Sequence, residues 1–226
     1  MIKIFLISII STILISSING MNYQNSNELI NLLANDNDWE KINHEAGITL
    51  FSKQISGHNI NAIKITKRVS IPLYIIQNII MDVDNYDSIL SNAEGLITKS
   101  QSVSDNEVIA YQFIPVNLPF FDDGHYYFKL KKYNLSYDKE QILVEWNLID
   151  NSLFDKDKNI LDAIYLKYGA GVWMAQHSSS GDILLSYRIF MDPSGSIPDF
   201  IIDKINQISI VNLFTDVILT SQKRLN

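Results

Sequence analysis

The stretch Asp192-Pro193-Ser194-Gly195-Ser196-Ile197-Pro198-Asp199-Phe200-Ile201-Ile202, DPSGSIPDFII, takes the chain out of an aromatic, apolar strand pattern and into a long apolar helix. Pro193 and Gly195 are turn chemistry, and Pro198 stands where a first helical turn tolerates a proline. Beyond it Phe200, Ile201, Ile205, Ile208, Val211, Phe214, Val217 and Ile218 recur at helical spacing almost to the last residue. Ile202, Ile210 and Leu213 widen that apolar face, so the helix needs cover on more than one side. What surrounds it decides the fold.

Working outward, the preceding chain reads mostly as strands. Segments 47–55 and 61–71 alternate around Gly57-His58-Asn59 and predict a hairpin. Pro72 then opens a helix whose stripe is Ile75, Ile76, Ile79, Ile80 and Val83. From Glu94 to Ser152 strand follows strand, and two more strands precede the terminal helix, joined by Ser178-Ser179-Ser180-Gly181-Asp182. Residues 26–42 predict a helix capped by Asn25 or Ser26 and anchored by Trp39. The order is helix, two strands, helix, about six strands, long helix. A curved antiparallel sheet wrapped around the terminal helix is the simplest way to bury it, because the sheet's inner face needs a covering layer. The expected class is α+β.

Bulk properties exclude several functions. With 226 residues, 46% of them hydrophobic, the chain can build one sizeable core unaided. The net charge of -7 offers no basic field for a phosphate backbone, so nucleic acid is not an expected partner. Cysteine is absent, which removes thiolate zinc sites and a cysteine nucleophile. His44, His58, His125 and His177 lack metal-ligand spacing, Ser178 to Ser180 lack a nucleophile-elbow frame, and Gly169-x-Gly171 lacks the third glycine of a phosphate loop.

Residues 1–20 combine Lys3 with the apolar run Ile4 to Ile18 and a small, polar end. They read as a signal peptide, with an uncleaved N-terminal anchor as the competing reading, and they predict an exported, periplasmic or secreted domain over 21–226.

Several local motifs resemble a START domain, the lipid-transfer module of the helix-grip superfamily of StAR-related, Bet v 1-like and polyketide-cyclase-like proteins. They are Trp39 with Gly47-Ile48 and Thr49-Leu50-Phe51, the helix after Pro72 ending in Asp84-Asn85-Tyr86, Gly171-Val172-Trp173 leading to Gly181-Asp182, and Tyr187 followed by the opening stretch. The resemblance covers about residues 36–226. It departs at Asp122-Asp123-Gly124-His125, where the family often has an Arg-Asp pair, which leaves Arg188 as the arginine to serve instead.

The resemblance implies a helix-grip fold with a cavity between sheet and terminal helix, holding a lipid, sterol or other apolar small molecule. It implies neither a cofactor nor a catalytic residue. The residues expected to line the cavity are Tyr111, Phe113, Tyr127, Glu145, Trp146, Trp173, Tyr187 and Arg188 on the strands, with Ile201, Ile205 and Leu213 on the helix. For any single aromatic member the sequence alone favours ordinary core packing, and the resemblance implies that several of them line the cavity without saying which. Glu145 and Arg188 either pair inside the cavity or face solvent, because strand alternation leaves their side open. The apolar loop Val116-Asn117-Leu118-Pro119-Phe120-Phe121 either is an exposed edge that touches a membrane transiently or the cavity mouth, or packs back on the sheet. The superfamily also contains cyclases and aromatases, so the alternative is an enzyme acting on a polyketide-like substrate through Tyr, His or Glu145.

Overall fold

The computed structural model describes residues 26–91, 93–115, 122–136, 140–150, 163–177, 181–192 and 199–225, with side chains of the last segment described from Gln207 onward. The loop 116–121, the turn 178–180, the corner 193–198 and the first 25 residues lie outside the described residues.

Helix α1, Ser26–Ala34, is shorter than its sequence pattern predicts. The run Asn35-Asp36-Asn37-Asp38 ends it, with Asp38 at φ 64°, because short polar side chains compete for backbone hydrogen bonds and tolerate that conformation. Trp39 still anchors the turn, donating its indole N–H to Asn35 O at 2.8 Å. Where more helix was expected, Glu40–Glu45 forms strand β1, exposed along its whole length. Strands β2, Ile48–Gln54, and β3, Asn61–Val69, form the expected hairpin.

Helix α2, Leu73–Met81, starts after Pro72 and is buried nearly all round. Its one buried polar residue, Gln77, donates from Nε2 to Tyr133 O at 2.7 Å and Leu143 O at 2.9 Å, which satisfies the amide and ties the helix to the sheet. A 3-10 turn, Val83–Asn85, and the short helix α3, Tyr86–Ile89, follow.

The meander is β4, Ile97–Ser104, β5, Glu107–Ile114, β6, Gly124–Lys132, and β7, Glu140–Ile149. After it come the two-residue β8, Ile164–Tyr165, then β9, Tyr168–His177, and β10, Ile183–Asp192. Among the described residues these ten strands make one curved, unclosed sheet in the order β1-β2-β3-β10-β9-β7-β6-β5-β4, antiparallel throughout except where β8 pairs with β6.

Helix α4, Asp199–Leu225, has 27 residues and so spans about 40 Å. It lies in the sheet's concavity against α2, with Ile210, Phe214, Val217 and Ile218 buried in the main core. Arg224 in its last turn meets Asp82 at 2.7 Å, beyond the end of α2.

The convex face is also covered, where α1 sets Leu29, Ile30 and Leu33 against Ala170, Val172 and Phe190. Strands β9 and β10 are thus buried on both sides. That two-sidedness is why alternation could not assign their faces.

Candidate functional site

Between the sheet and α4 the structure encloses a cavity of about 460 Å3. Its strand wall is the side of the sheet that carries Gln112 and Ile114 on β5, Tyr126, Phe128 and Leu130 on β6, Trp146 on β7, Trp173 on β9 and Tyr187, Ile189 and Met191 on β10. Ile80, Tyr86 and Leu90 close one flank, and α4 contributes Ile208, Leu213, Asp216 and Val217. The wall is apolar with a few polar groups, as small-molecule sites are.

The faces follow from chemistry already in the sequence. On β6, Lys129 and Lys131 alternate with Tyr126, Phe128 and Leu130, so the lysines go to solvent and the aromatics inward. Register passes the assignment on: Tyr126 stands opposite Gln112, and Tyr127 opposite Tyr111.

Of the residues expected at the cavity, Trp146, Trp173, Tyr187 and Leu213 are on its wall. Five others are not. Tyr111, Phe113 and Tyr127 occupy alternate positions on β5 and β6 and so point to the convex side, where Tyr111 and Tyr127 meet with ring centroids 5.0 Å apart beside His125 and Tyr165. Burial lowers the pKa of His125 and raises that of Tyr165 to about 12.

Glu145 is on the convex side as well, near Tyr133. Burial first, then Glu145, push the Tyr133 hydroxyl well above its usual value. Arg188 is 2% exposed but pairs with neither Glu145 nor the cavity. It reaches outward to the end of α1, donating to Leu33 O at 3.0 Å, Ala34 O at 2.6 Å, Asp36 Oδ1 at 2.8 Å and Glu140 Oε1 at 3.4 Å. The side chains of Ile201 and Ile205 lie outside the described residues.

Among the cavity residues that were not anticipated, three carry hydrogen-bonding side chains from the sheet and the α2 flank: Tyr86, Gln112 and Tyr126. Burial pushes the hydroxyls of Tyr86, Tyr126 and Tyr187 far above the ordinary tyrosine range, so all three are protonated at any physiological pH. Tyr86 donates to Ile80 O. Tyr126 donates to Gln112 Oε1, and Gln112 Nε2 donates to Thr98 Oγ1 at 3.1 Å. Trp146 Nε1 donates to the Tyr187 hydroxyl at 3.0 Å. At the rim, Asp216 on α4 accepts from Ser91 N at 2.8 Å and Ser91 Oγ at 2.9 Å. Among the described residues no lysine, arginine or histidine lines the cavity, and no cluster of three His, Asp or Glu side chains is placed to hold a metal.

Gly171 makes the Trp146 arrangement possible. It stands opposite Trp146 in the ladder and Ile189 in the next strand, so the indole crosses it to reach Tyr187. A Cβ on Gly171 would sit 2.3 Å from Trp146 Nε1 and 2.6 Å from Cε2. Gly171→Ala is therefore expected to displace the indole, break its bond to Tyr187 and destabilise the fold by about 1–3 kcal/mol. Urea unfolding and tryptophan emission check this; an unchanged midpoint and spectrum would show the indole free to move aside.

No family model and no curated protein matches the chain. Solved structures do. A STAR-related lipid transfer protein from Xanthomonas axonopodis superposes with a TM-score of 0.68 at 12% identity, covering 82% of this chain and 99% of that one. Human STARD10 gives 0.70 at 13% identity, covering 88% and 78%. Human StAR-related lipid transfer protein 5 gives 0.67 at 10% identity, covering 88% and 94%. At such identities the likeness is one of architecture, and together with the curved sheet, the terminal helix and the cavity between them it establishes that this chain has the START, helix-grip fold.

Proposed function

We propose that the chain is an exported, non-enzymatic protein that binds, and in one version transfers, an apolar small molecule of the lipid or sterol kind in the cavity under α4. The observation that carries this reading is the cavity itself: about 460 Å3, walled mostly by aliphatic and aromatic side chains, with polar side chains that include Tyr86, Gln112, Tyr126 and Tyr187. The superposed structures described as lipid transfer proteins support it as an analogy of fold. The tyrosines facing the cavity also favour holding over chemistry. Its tyrosines are fixed in the protonated form. Glu145, the carboxylate that the cyclase alternative would use, is on the other side of the sheet. The proposal includes cleavage or anchoring at residues 1–20 and a transient membrane contact through loop 116–121.

Native mass spectrometry of the full chain, purified without detergent from an exporting host, tests the main claim. One apolar molecule per chain, identified after organic extraction, is the expected result. A chain that is empty and takes up no lipid or sterol from vesicles overturns it. N-terminal sequencing of the same sample reads out cleavage near residue 20.

A further inference from the structure

A hydrogen-bond inventory of the cavity's three tyrosines leaves one donor over. Tyr86 gives its hydrogen to Ile80 O and Tyr126 gives its own to Gln112 Oε1. Tyr187 is different. It is 3% exposed, and its oxygen accepts from Trp146 Nε1 at 3.0 Å. Its own hydrogen has no acceptor among the described residues. Tyr187 is on the cavity wall, where a ligand oxygen would supply the missing acceptor. A buried donor without a partner is costly, and native structures rarely leave one so.

The second observation is electrostatic. The charged side chains on the described wall are Asp122 and Asp216, both acids. Among the described residues an anionic headgroup entering here meets no cation; it meets two carboxylates and loses its hydration, all of which oppose it.

We infer that the cavity selects uncharged ligands carrying an acceptor oxygen, a ketone, ester or hydroxyl, and that Tyr187, oriented by Trp146, is the residue that recognises that oxygen. This rests on the ligand-binding reading above and narrows its chemistry. Gly171 belongs to the same device, since only a glycine lets the indole cross to Tyr187.

The test uses the full chain and diphenylhexatriene, a hydrocarbon fluorophore without oxygen, displaced by decane, 2-decanone or decyl phosphate. Comparing wild type with Tyr187→Phe cancels the probes' different hydrophobicities. The preference for 2-decanone over decane is expected to fall roughly three- to tenfold in Tyr187→Phe, the worth of one neutral hydrogen bond. Decane itself should displace equally from both. Because Tyr187→Phe strands the indole N–H, the double variant W146F/Y187F, which removes donor and acceptor together, is measured alongside. It should lose the ketone preference to the same extent. Decyl phosphate is expected to displace the fluorophore at least tenfold more weakly than the ketone.

If diphenylhexatriene does not bind wild type at all, the ligand-binding reading fails and this inference with it. If it binds, but the ketone preference survives in both variants or decyl phosphate competes as well as the ketone, the ligand-binding reading stands and this inference is overturned.

Discussion

Arg188→Met is expected to lower the free energy of unfolding by about 3 kcal/mol and to leave ligand affinity within roughly twofold, because the guanidinium is buried but faces away from the cavity. The last carbonyls of a helix have no partners within the helix and attract cations. Arg188 serves two of them on α1, Leu33 O and Ala34 O, and Lys53 Nζ takes a third, Leu32 O, at 2.9 Å. Lys64 joins through Asp36 at 3.2 Å and lies 5.0 Å from the Trp39 ring centroid. Burial alone would raise the pKa of Asp36, but Arg188 and Lys64 outweigh it and hold the carboxyl below its ordinary range. Its share of stability is therefore present at neutral pH and is lost as acid takes the pH down through that lowered value.

Methionine fills most of the arginine's volume but leaves Leu33 O, Ala34 O and Glu140 without their cation and Asp36 with Lys64 alone. Urea unfolding measures the loss. A loss under about 1 kcal/mol would mean that water serves these acceptors as well as arginine does. A variant of normal stability that no longer binds ligand would instead put Arg188 within reach of the cavity.

What the sequence disclosed about this fold tracks how one-sided each element's surroundings are. The stripe on α4 and the proline-started α2 were legible because each has a wide apolar face that only a covering layer can bury. Strand β1 was not, since Glu40–Glu45 is an exposed edge with no apolar alternation to detect, and Trp39 falls at a spacing that extended the helical stripe of α1 past its end. The cavity wall was half legible. On β6 the lysines mark the solvent side and could have separated Tyr126 from Tyr127. On β10 no such mark exists, because α1 buries the convex side of Arg188 and Phe190 while the cavity buries Tyr187. That α1 lies there is a tertiary fact, invisible to the alternation of β10 itself. Gly171 was in view as half of a glycine pair, but its role depends on Trp146, a residue 25 positions earlier in the chain that the ladder sets beside it. The corner at Pro193 to Gly195 and the loop 116–121 lie outside the described residues.

Phe214→Ala is expected to cost about 3–5 kcal/mol, the usual range for removing a buried phenyl ring. Phe214 is 0% exposed and stacks on Trp173 with ring centroids 5.7 Å apart and planes 8° from parallel. Trp173 in turn stacks on Tyr187 at 4.3 Å. The three rings run from α4 through β9 to β10, so they are the aromatic part of what holds the helix in the sheet. Leu219→Ala, on the same helix but with the side chain 48% exposed, should change stability by no more than about 0.5 kcal/mol. Both variants keep helix propensity, since alanine is the best helix former, so the difference between them isolates docking of α4 from its formation. Phe214 is not itself on the cavity wall but stacks on Trp173, which is, so a void left by its loss is expected to open toward the ligand's space if Trp173 shifts. A bound ligand stabilises the folded state in proportion to how tightly it binds there. One that relaxes into the added space should therefore restore more stability to Phe214→Ala than to Leu219→Ala, which denaturation with and without 2-decanone measures. Equal costs for the two variants would mean that α4 is not seated on Trp173 as described. A large cost for Phe214→Ala that ligand does not reduce would mean that the helix's anchor and the cavity are separate compartments.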